Sequence, residues 1–225
     1  MSKKTQRKFI LTGILFLLFT VFTVMVAKVD VQPIGPKEST VGLASLNRLM
    51  FELFGVNLLW YHITDWLGVT AIIFAMGFAV LGLYQLVKRK RLCKVDPYIL
   101  LLGVYYILVV AIYVLFEYFV VNYRPIIMDK SLEASYPSSH TMIVICIMGT
   151  AVVVFHHLFA GKRVRLLILD SISSLLIGVT VAGRLISGVH WFTDIIGGMI
   201  LSCALILLYK AMTSYLEEKQ KHGPK

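Results

Sequence analysis

Six separate stretches of this chain are each about as long and as apolar as a bilayer-spanning helix requires, roughly 20 residues. That repetition limits the fold more than any short motif. The stretches run approximately 9–27, 66–87, 98–120, 141–160, 166–186 and 191–212. In hydrocarbon every backbone N–H and C=O must be satisfied within the chain, so runs of this length specify helices. The expectation is an all-α polytopic membrane protein, one membrane domain over residues 1–225 with six transmembrane helices. Composition agrees, since 58% of the 225 residues are hydrophobic and the mean hydropathy is +0.82. The first run follows a basic segment, but it is long for a signal peptide and lacks a clear Ala-x-Ala site, so it reads as a helix.

The formal net charge of +10 is distributed in short clusters between the apolar runs. No basic stripe forms, which argues against nucleic-acid binding. Lys3, Lys4, Arg7 and Lys8 precede the first run, and Lys88, Arg89, Lys90, Arg91 and Lys94 separate the second from the third. Lys162, Arg163 and Arg165 separate the fourth from the fifth, and Lys210, Lys219, Lys221 and Lys225 close the chain. With six spans all four clusters fall on one side, which the positive-inside rule makes cytoplasmic. The expectation is an integral plasma-membrane protein with both termini cytoplasmic. Only Lys28, Lys37, Arg48, Arg124, Lys130 and Arg184 face the other way.

Cys93, Cys146 and Cys203 have no CxxC spacing and no histidine at ligand spacing, so they read as packing residues or free thiols. His156 and His157 read as an interfacial pair beside a basic loop, His62 has no partner in sequence, and His222 falls in a polar tail. Ala75 and Ala79, Gly178 and Ala182, and Gly198 and Ser202 stand four apart, a spacing that permits close helix approach in lipid.

The first outer connection, 28–65, opens with the breakers Pro33, Gly35 and Pro36. Beyond Ser45, a plausible N-cap, Leu46, Leu49, Met50, Leu53 and Phe54 recur at helical spacing with Asn47, Arg48 and Glu52 on other faces. This predicts an amphipathic helix in the outer interface. Trp60, Tyr61 and Trp66 then read as an aromatic belt.

Chemistry concentrates in Gly183-Arg184-Leu185-Ile186-Ser187-Gly188-Val189-His190-Trp191-Phe192-Thr193-Asp194, where ionisable side chains interrupt apolar sequence. Such groups are costly in lipid and need a partner or a task. If a helix opens near Trp191, His190 and Asp194 share one face. Asp194 would then hold the imidazole, fix its tautomer and leave the other nitrogen a free lone pair, as a nucleophilic histidine requires. Arg184 offers a donor fork suited to phosphate. The alternative is a buried ion pair that orients two helices.

A second outer loop completes the constellation. Pro125 restrains Arg124, and Ser138 and Ser139 are good caps for the helix that follows. At a helix N-terminus the free N–H groups and the dipole favour an anion, so Ser138-Ser139-His140 reads as a phosphate cradle with a histidine at its rim.

Arg124-Pro125, then Pro137-Ser138-Ser139-His140, then Arg184, His190 and Asp194 resembles the three-part signature of type 2 phosphatidic acid phosphatases, the PAP2 family, which is also similar to vanadium haloperoxidases. The resemblance covers roughly residues 98–212. It implies that His190 attacks phosphorus to form a phosphohistidine, that Asp194 orients it and that His140 protonates the leaving oxygen. It further implies that Arg124, Arg184, Ser138 and the Ser139 amide hold the phosphoryl oxygens, and it calls for no cofactor and no metal. Three positions depart from the family pattern. Glu117 stands where the family usually has Lys, placing a carboxylate where a phosphate-binding cation is expected unless it is protonated or paired with Arg124 or Arg184. Lys130 is a candidate replacement charge. Ser139 replaces the usual Gly and Gly183 the usual Ser.

The expected function is a membrane lipid phosphatase. Its substrate would be a phosphomonoester or diphosphate lipid, with polyprenyl diphosphate such as undecaprenyl diphosphate, phosphatidylglycerophosphate and phosphatidate as candidates. A catalytically weak lipid-phosphate binder or transporter is the alternative, motivated by Glu117. A haloperoxidase ranks last, because it would gain little from burial in a membrane. Membrane lipids are the only other partners expected, and oligomeric state is open.

Overall fold

The structure, a computed structural model, describes residues 1–128 and 130–222, with side chains described through Gln220. The charges assigned to Lys221 and Lys225 and the tail position of His222 fall outside that description. Seven α-helices follow in order: α1 (Lys3–Lys28), α2 (Ala44–Phe54), α3 (Leu58–Arg89), α4 (Pro97–Tyr118), α5 (Ser139–Leu158), α6 (Arg163–Ser187) and α7 (Phe192–His222). Six of them, all but α2, are long and apolar enough to cross a membrane. Among the described residues the only β-pairings are isolated bridges, Gln32 with Val41 and Tyr123 with Ala134.

Two helices form the centre. More than half of the apolar window of α5 is buried and half of that of α7, against 17–22% for the other four spans. α5 packs against α3, α6 and α7, and α1 lies along α7. Leu17, Ile73, Val80, Ile107 and Leu175 are more than half exposed, as expected of side chains that face lipid, where apolar exposure carries no cost. Small residues let α7 approach the segment before α5: a Cβ on Gly197 would meet the Tyr136 ring at 2.6 Å, and one on Gly198 the Ser138 carbonyl at 3.1 Å. Gly178, in contrast, meets nothing within 4 Å.

The start of α1 and the last turns of α7 lie at one end of the bundle. The Ser2 amide donates to Glu218 at 2.8 Å, and the Tyr98 hydroxyl at the start of α4 donates to Glu217. The basic clusters at the start of α1, the end of α3 and the end of α7 are thereby gathered there. Arg124, His140, Arg184 and His190 occupy the opposite end.

Two expectations at that opposite end are corrected. α3 begins at Leu58 instead of near 66, because the Asn57 side chain accepts from Trp60 N–H at 3.2 Å and caps the helix eight residues earlier. This brings Trp60, Tyr61 and Asp65 into regular helix. Ser45 is not the N-cap of α2; Leu43 is, in a left-handed conformation, and Ser45 N–H instead donates to Asp30 at 2.7 Å. That bond holds the Asp30 carboxyl below the usual carboxylate range. The apolar residues Leu46, Leu49 and Leu53 point outward, at 41–70% exposure, while Asn47 is fully buried. α2 is therefore held to the bundle by a polar residue and offers its apolar face to the surroundings.

Candidate active site

α6, α7 and the segment between them place the first group. α6 ends at Gly188, whose φ of 65° is left-handed and whose Cβ, were there one, would meet Gly55 O at 2.1 Å. Only glycine suits both conditions. The chain then turns through His190 into α7, where Trp191 N–H donates to Asp194 Oδ2 at 3.0 Å, a third-position acid reaching back to the cap.

His190 and Asp194 are 4% and 0% exposed. The expected direct contact between them is modified. His190 Nδ1 is 4.0 Å from Asp194 Oδ2, and Ser135 stands between. Ser135 Oγ donates to Asp194 Oδ2 at 2.5 Å, and Nδ1 lies 3.0 Å from that Oγ and 3.2 Å from the Ser135 carbonyl. A carbonyl accepts only, so the proton sits on Nδ1 and Nε2 carries the lone pair. Asn122 Nδ2 supplies Asp194 Oδ1 with a further donor at 3.1 Å. Neither Ser135 nor Asn122 is marked by the motif pattern. Their position just inside the loop that carries Arg124 is the available signal, because Ser135 N–H donates to Asn122 O at 2.9 Å and Arg124 N–H to Glu133 O at 3.1 Å, closing that loop.

Burial, and then the nearby Arg124, Arg184 and His140, push the His190 imidazole well below its usual value, so the ring is neutral. Its Nε2 is buried without a hydrogen-bond partner.

Arg184 is fully buried, pairs through Nη2 with Asp65 and lies over the Tyr61 ring at 5.2 Å. Tyr61 thus belongs to the site and not to an aromatic belt. Trp60 also turns inward, while Trp66 at 72% exposure suits the belt. Gly183 has a local reason: a Cβ there would meet Thr64 Cγ2 at 2.5 Å and Trp60 Cε3 at 2.9 Å, so the serine usual in the family would not fit between α3 and α6 without a shift.

Arg124 Nε stands 2.9 Å from Glu133 Oε2. The cap is as expected at α5: Ser138 Oγ accepts from Thr141 N–H at 3.5 Å, and Ser138 N–H donates to Asp194 O at 2.9 Å. Ser139 is the first helical residue, half-buried. His140 Nε2 lies 3.0 Å from Asp65 Oδ1. Asp65, like Ser135 and Asn122, is not marked by the motif pattern, and a lone acid at the edge of an apolar run was its signal.

Glu117 pairs with neither arginine, since their carboxylate partners are Glu133 and Asp65. It is exposed, lies beside Tyr113 and lines a narrow crevice with Ser135 and Ser139. Lys130 is exposed in the loop.

Comparison with known proteins gives the family and the fold. The family model described as the PAP2 superfamily matches residues 99–218, and the chain belongs to that superfamily. Its fold is similar to the crystal structure titled the first transmembrane PAP2 type phosphatidylglycerolphosphate phosphatase from Bacillus subtilis, with a TM-score of 0.63 at 17% identity over 91% of this chain and 96% of that one. No curated protein sequence matches the chain.

Proposed function

We propose that this PAP2 member hydrolyses a lipid phosphomonoester or diphosphate through a phosphohistidine on His190. One observation carries the reading: His190 Nε2, His140 Nδ1, Arg124 Nη1, and Arg184 Nε and Nη1 are all buried with no hydrogen-bond partner, and their residues lie near enough to perturb one another. Buried polar groups are ordinarily satisfied. A phosphoryl group supplies oxygens for the guanidinium nitrogens and an electrophilic phosphorus for Nε2, so one ligand answers the set.

In the first step the Nε2 lone pair forms a bond to phosphorus while the bond to the leaving oxygen breaks, and His140 gives that oxygen a proton. In the second, water attacks phosphorus, its proton passes to His140, the N–P bond breaks and inorganic phosphate leaves. Ser135 and Asp194 stabilise the Nδ1 proton while His190 carries phosphate. Ser138 and the Ser139 amide at the start of α5 add donors for the phosphoryl oxygens, and Arg124 and Arg184 offset its charge. No step calls for a metal. By the charge rule the site faces outward from the cytoplasm. Phosphatidylglycerophosphate, phosphatidate and polyprenyl diphosphate all meet the requirement of a phosphate on an apolar tail.

The test is phosphate release by purified protein in detergent across those three lipids. Release is expected from at least one and from none with His190→Ala, and brief reaction with labelled substrate should leave an acid-labile, alkali-stable label on wild type alone. Lipid binding with no release would favour the binder reading. Glu117→Lys is expected to change kcat by less than about threefold, because position 117 is exposed and outside the buried donor group.

A further inference from the structure

Asp65 brings a carboxylate into a site otherwise built of donors. Its Oδ1 pairs with Arg184 Nη2 and lies 3.0 Å from His140 Nε2, so one oxygen touches two groups with different tasks. The ring of His140 is oriented by the same helix. A Cβ on Gly68, three residues further along α3, would stand 3.4 Å from His140 Cδ2. The Cδ2–Nε2 edge of the imidazole therefore faces α3, and Nδ1, across the ring, is buried with no hydrogen-bond partner. The charged groups that face His140 are Asp65 from α3, Arg184 from α6 and Arg124 from a loop, with the neutral, titratable His190 beside them. Among these described residues Asp65 is the one carboxylate. An imidazole held by an acceptor at one nitrogen exchanges its catalytic proton at the other.

We propose that Asp65 is a positioning residue for His140, fixing the ring through Nε2 so that Nδ1 carries the proton delivered to the leaving oxygen. The inference rests on the phosphatase reading above. As the His190 Nε2–P bond forms and the P–O bond to the lipid breaks, the Nδ1 proton of cationic His140 moves to that oxygen. The products are the lipid alcohol (or the lipid monophosphate, from a diphosphate), a neutral His140 and phosphohistidine. When water attacks phosphorus, its proton goes to Nδ1 and the N–P bond breaks, which restores both histidines. Asp65 keeps its charge throughout. Because the same oxygen anchors Arg184, one residue sets the distance between the proton donor and the guanidinium that holds the other phosphate oxygens.

The experiment compares wild type with Asp65→Asn in the full-length protein, on an alkyl phosphate lipid and on p-nitrophenyl phosphate. The phenolate of the latter leaves with little need of a proton. On the alkyl substrate kcat is expected to fall at least about tenfold, the scale of lost general-acid assistance, while on p-nitrophenyl phosphate it falls less than about threefold. Asp65→Glu should recover part of the alkyl rate. Equal losses on both substrates would overturn the inference and make Asp65 a support for Arg184 alone. Nitrogen NMR of the His140 ring in wild type gives a readout that needs no variant: the neutral ring should carry its proton on Nε2, and a proton on Nδ1 overturns the assignment. Wild-type protein that releases phosphate from neither substrate would defeat the phosphatase reading and this inference together. Wild-type turnover with a uniform Asp65→Asn loss defeats only the role of Asp65.

Discussion

His190 is neutral because burial leaves a charged imidazole little solvation, and the arginines beside it add repulsion. A nucleophile needs that neutrality, and it has a consequence for stability. The folded-state value is depressed below the unfolded value of about 6.5, so below that pH the unfolded chain takes up a proton that the folded one refuses. Stability then rises with pH through this window and is lost as pH falls, with a slope of up to about 1.4 kcal/mol per pH unit from this one group. Thermal unfolding in detergent between pH 7 and 5 should show the loss, and His190→Ala should flatten it. Ser135 acts at the same scale. Removing its hydroxyl with Ser135→Ala leaves Nδ1 the Ser135 carbonyl at 3.2 Å but takes a donor from Asp194. The expected cost is about tenfold in kcat, about 1.4 kcal/mol, with KM little changed; a change confined to KM would assign Ser135 to binding.

At the scale of elements, the site is a meeting of four helix ends and two loops, and its tolerance is set by how closely they approach. Gly183→Ser restores the residue usual in the family but drives a Cβ into Thr64 and Trp60. Overpacking of this kind costs about 1–3 kcal/mol, so the variant should unfold at lower temperature and lose activity unless α3 shifts. α2 depends on Asn47, whose Nδ2 donates to Thr193 Oγ1 at 3.0 Å and to Gly42 O at 2.9 Å, while its Oδ1 accepts from Thr193 N–H at 3.1 Å. Asn47→Ala leaves buried groups unpaired at about 1–3 kcal/mol, and a fall in melting temperature together with protease cleavage near α2 would register it. The six spans and the order Arg124, His140, Arg184, His190, Asp194 were legible because length and motif spacing are one-dimensional properties. Asp65 was not, because the apolar period that marks a helix fades at its polar end, and a boundary set at 66 left Asp65 and Tyr61 in a loop. Ser135 and Asn122 were equally out of reach: they matter through a fold-back of the loop that brings residues 55–72 positions away against His190 and Asp194. The spacing of His190 and Asp194 suggested one helical face, but His190 precedes α7 and stands 4.0 Å from the carboxylate, with a third residue between them that spacing could not show.

At the scale of the whole molecule, the bundle separates two kinds of charge. Basic clusters, the start of α1 and the last turns of α7 sit at one end, and the buried site sits at the other, under a helix whose apolar face points outward. If the positive-inside rule governs this chain, the proposed reaction takes place at the non-cytoplasmic leaflet and α2 lies where its apolar face contacts that leaflet. The cysteines make the orientation measurable. Cys93 is exposed at the basic end, Cys146 is buried, and Cys203 is exposed midway along α7, where lipid would cover it. A membrane-impermeant maleimide applied to intact cells should leave Cys93 unmodified and should label it after permeabilisation. In a Cys93→Ser background, Glu52→Cys on α2 should give the reverse order, reacting from outside without permeabilisation. Labelling of Cys93 from outside would invert the molecule and move the reaction to the cytoplasmic leaflet. The chemistry at His190 would stand in that case, but the substrate pool would change, because only lipids presented on the cytoplasmic face could reach it.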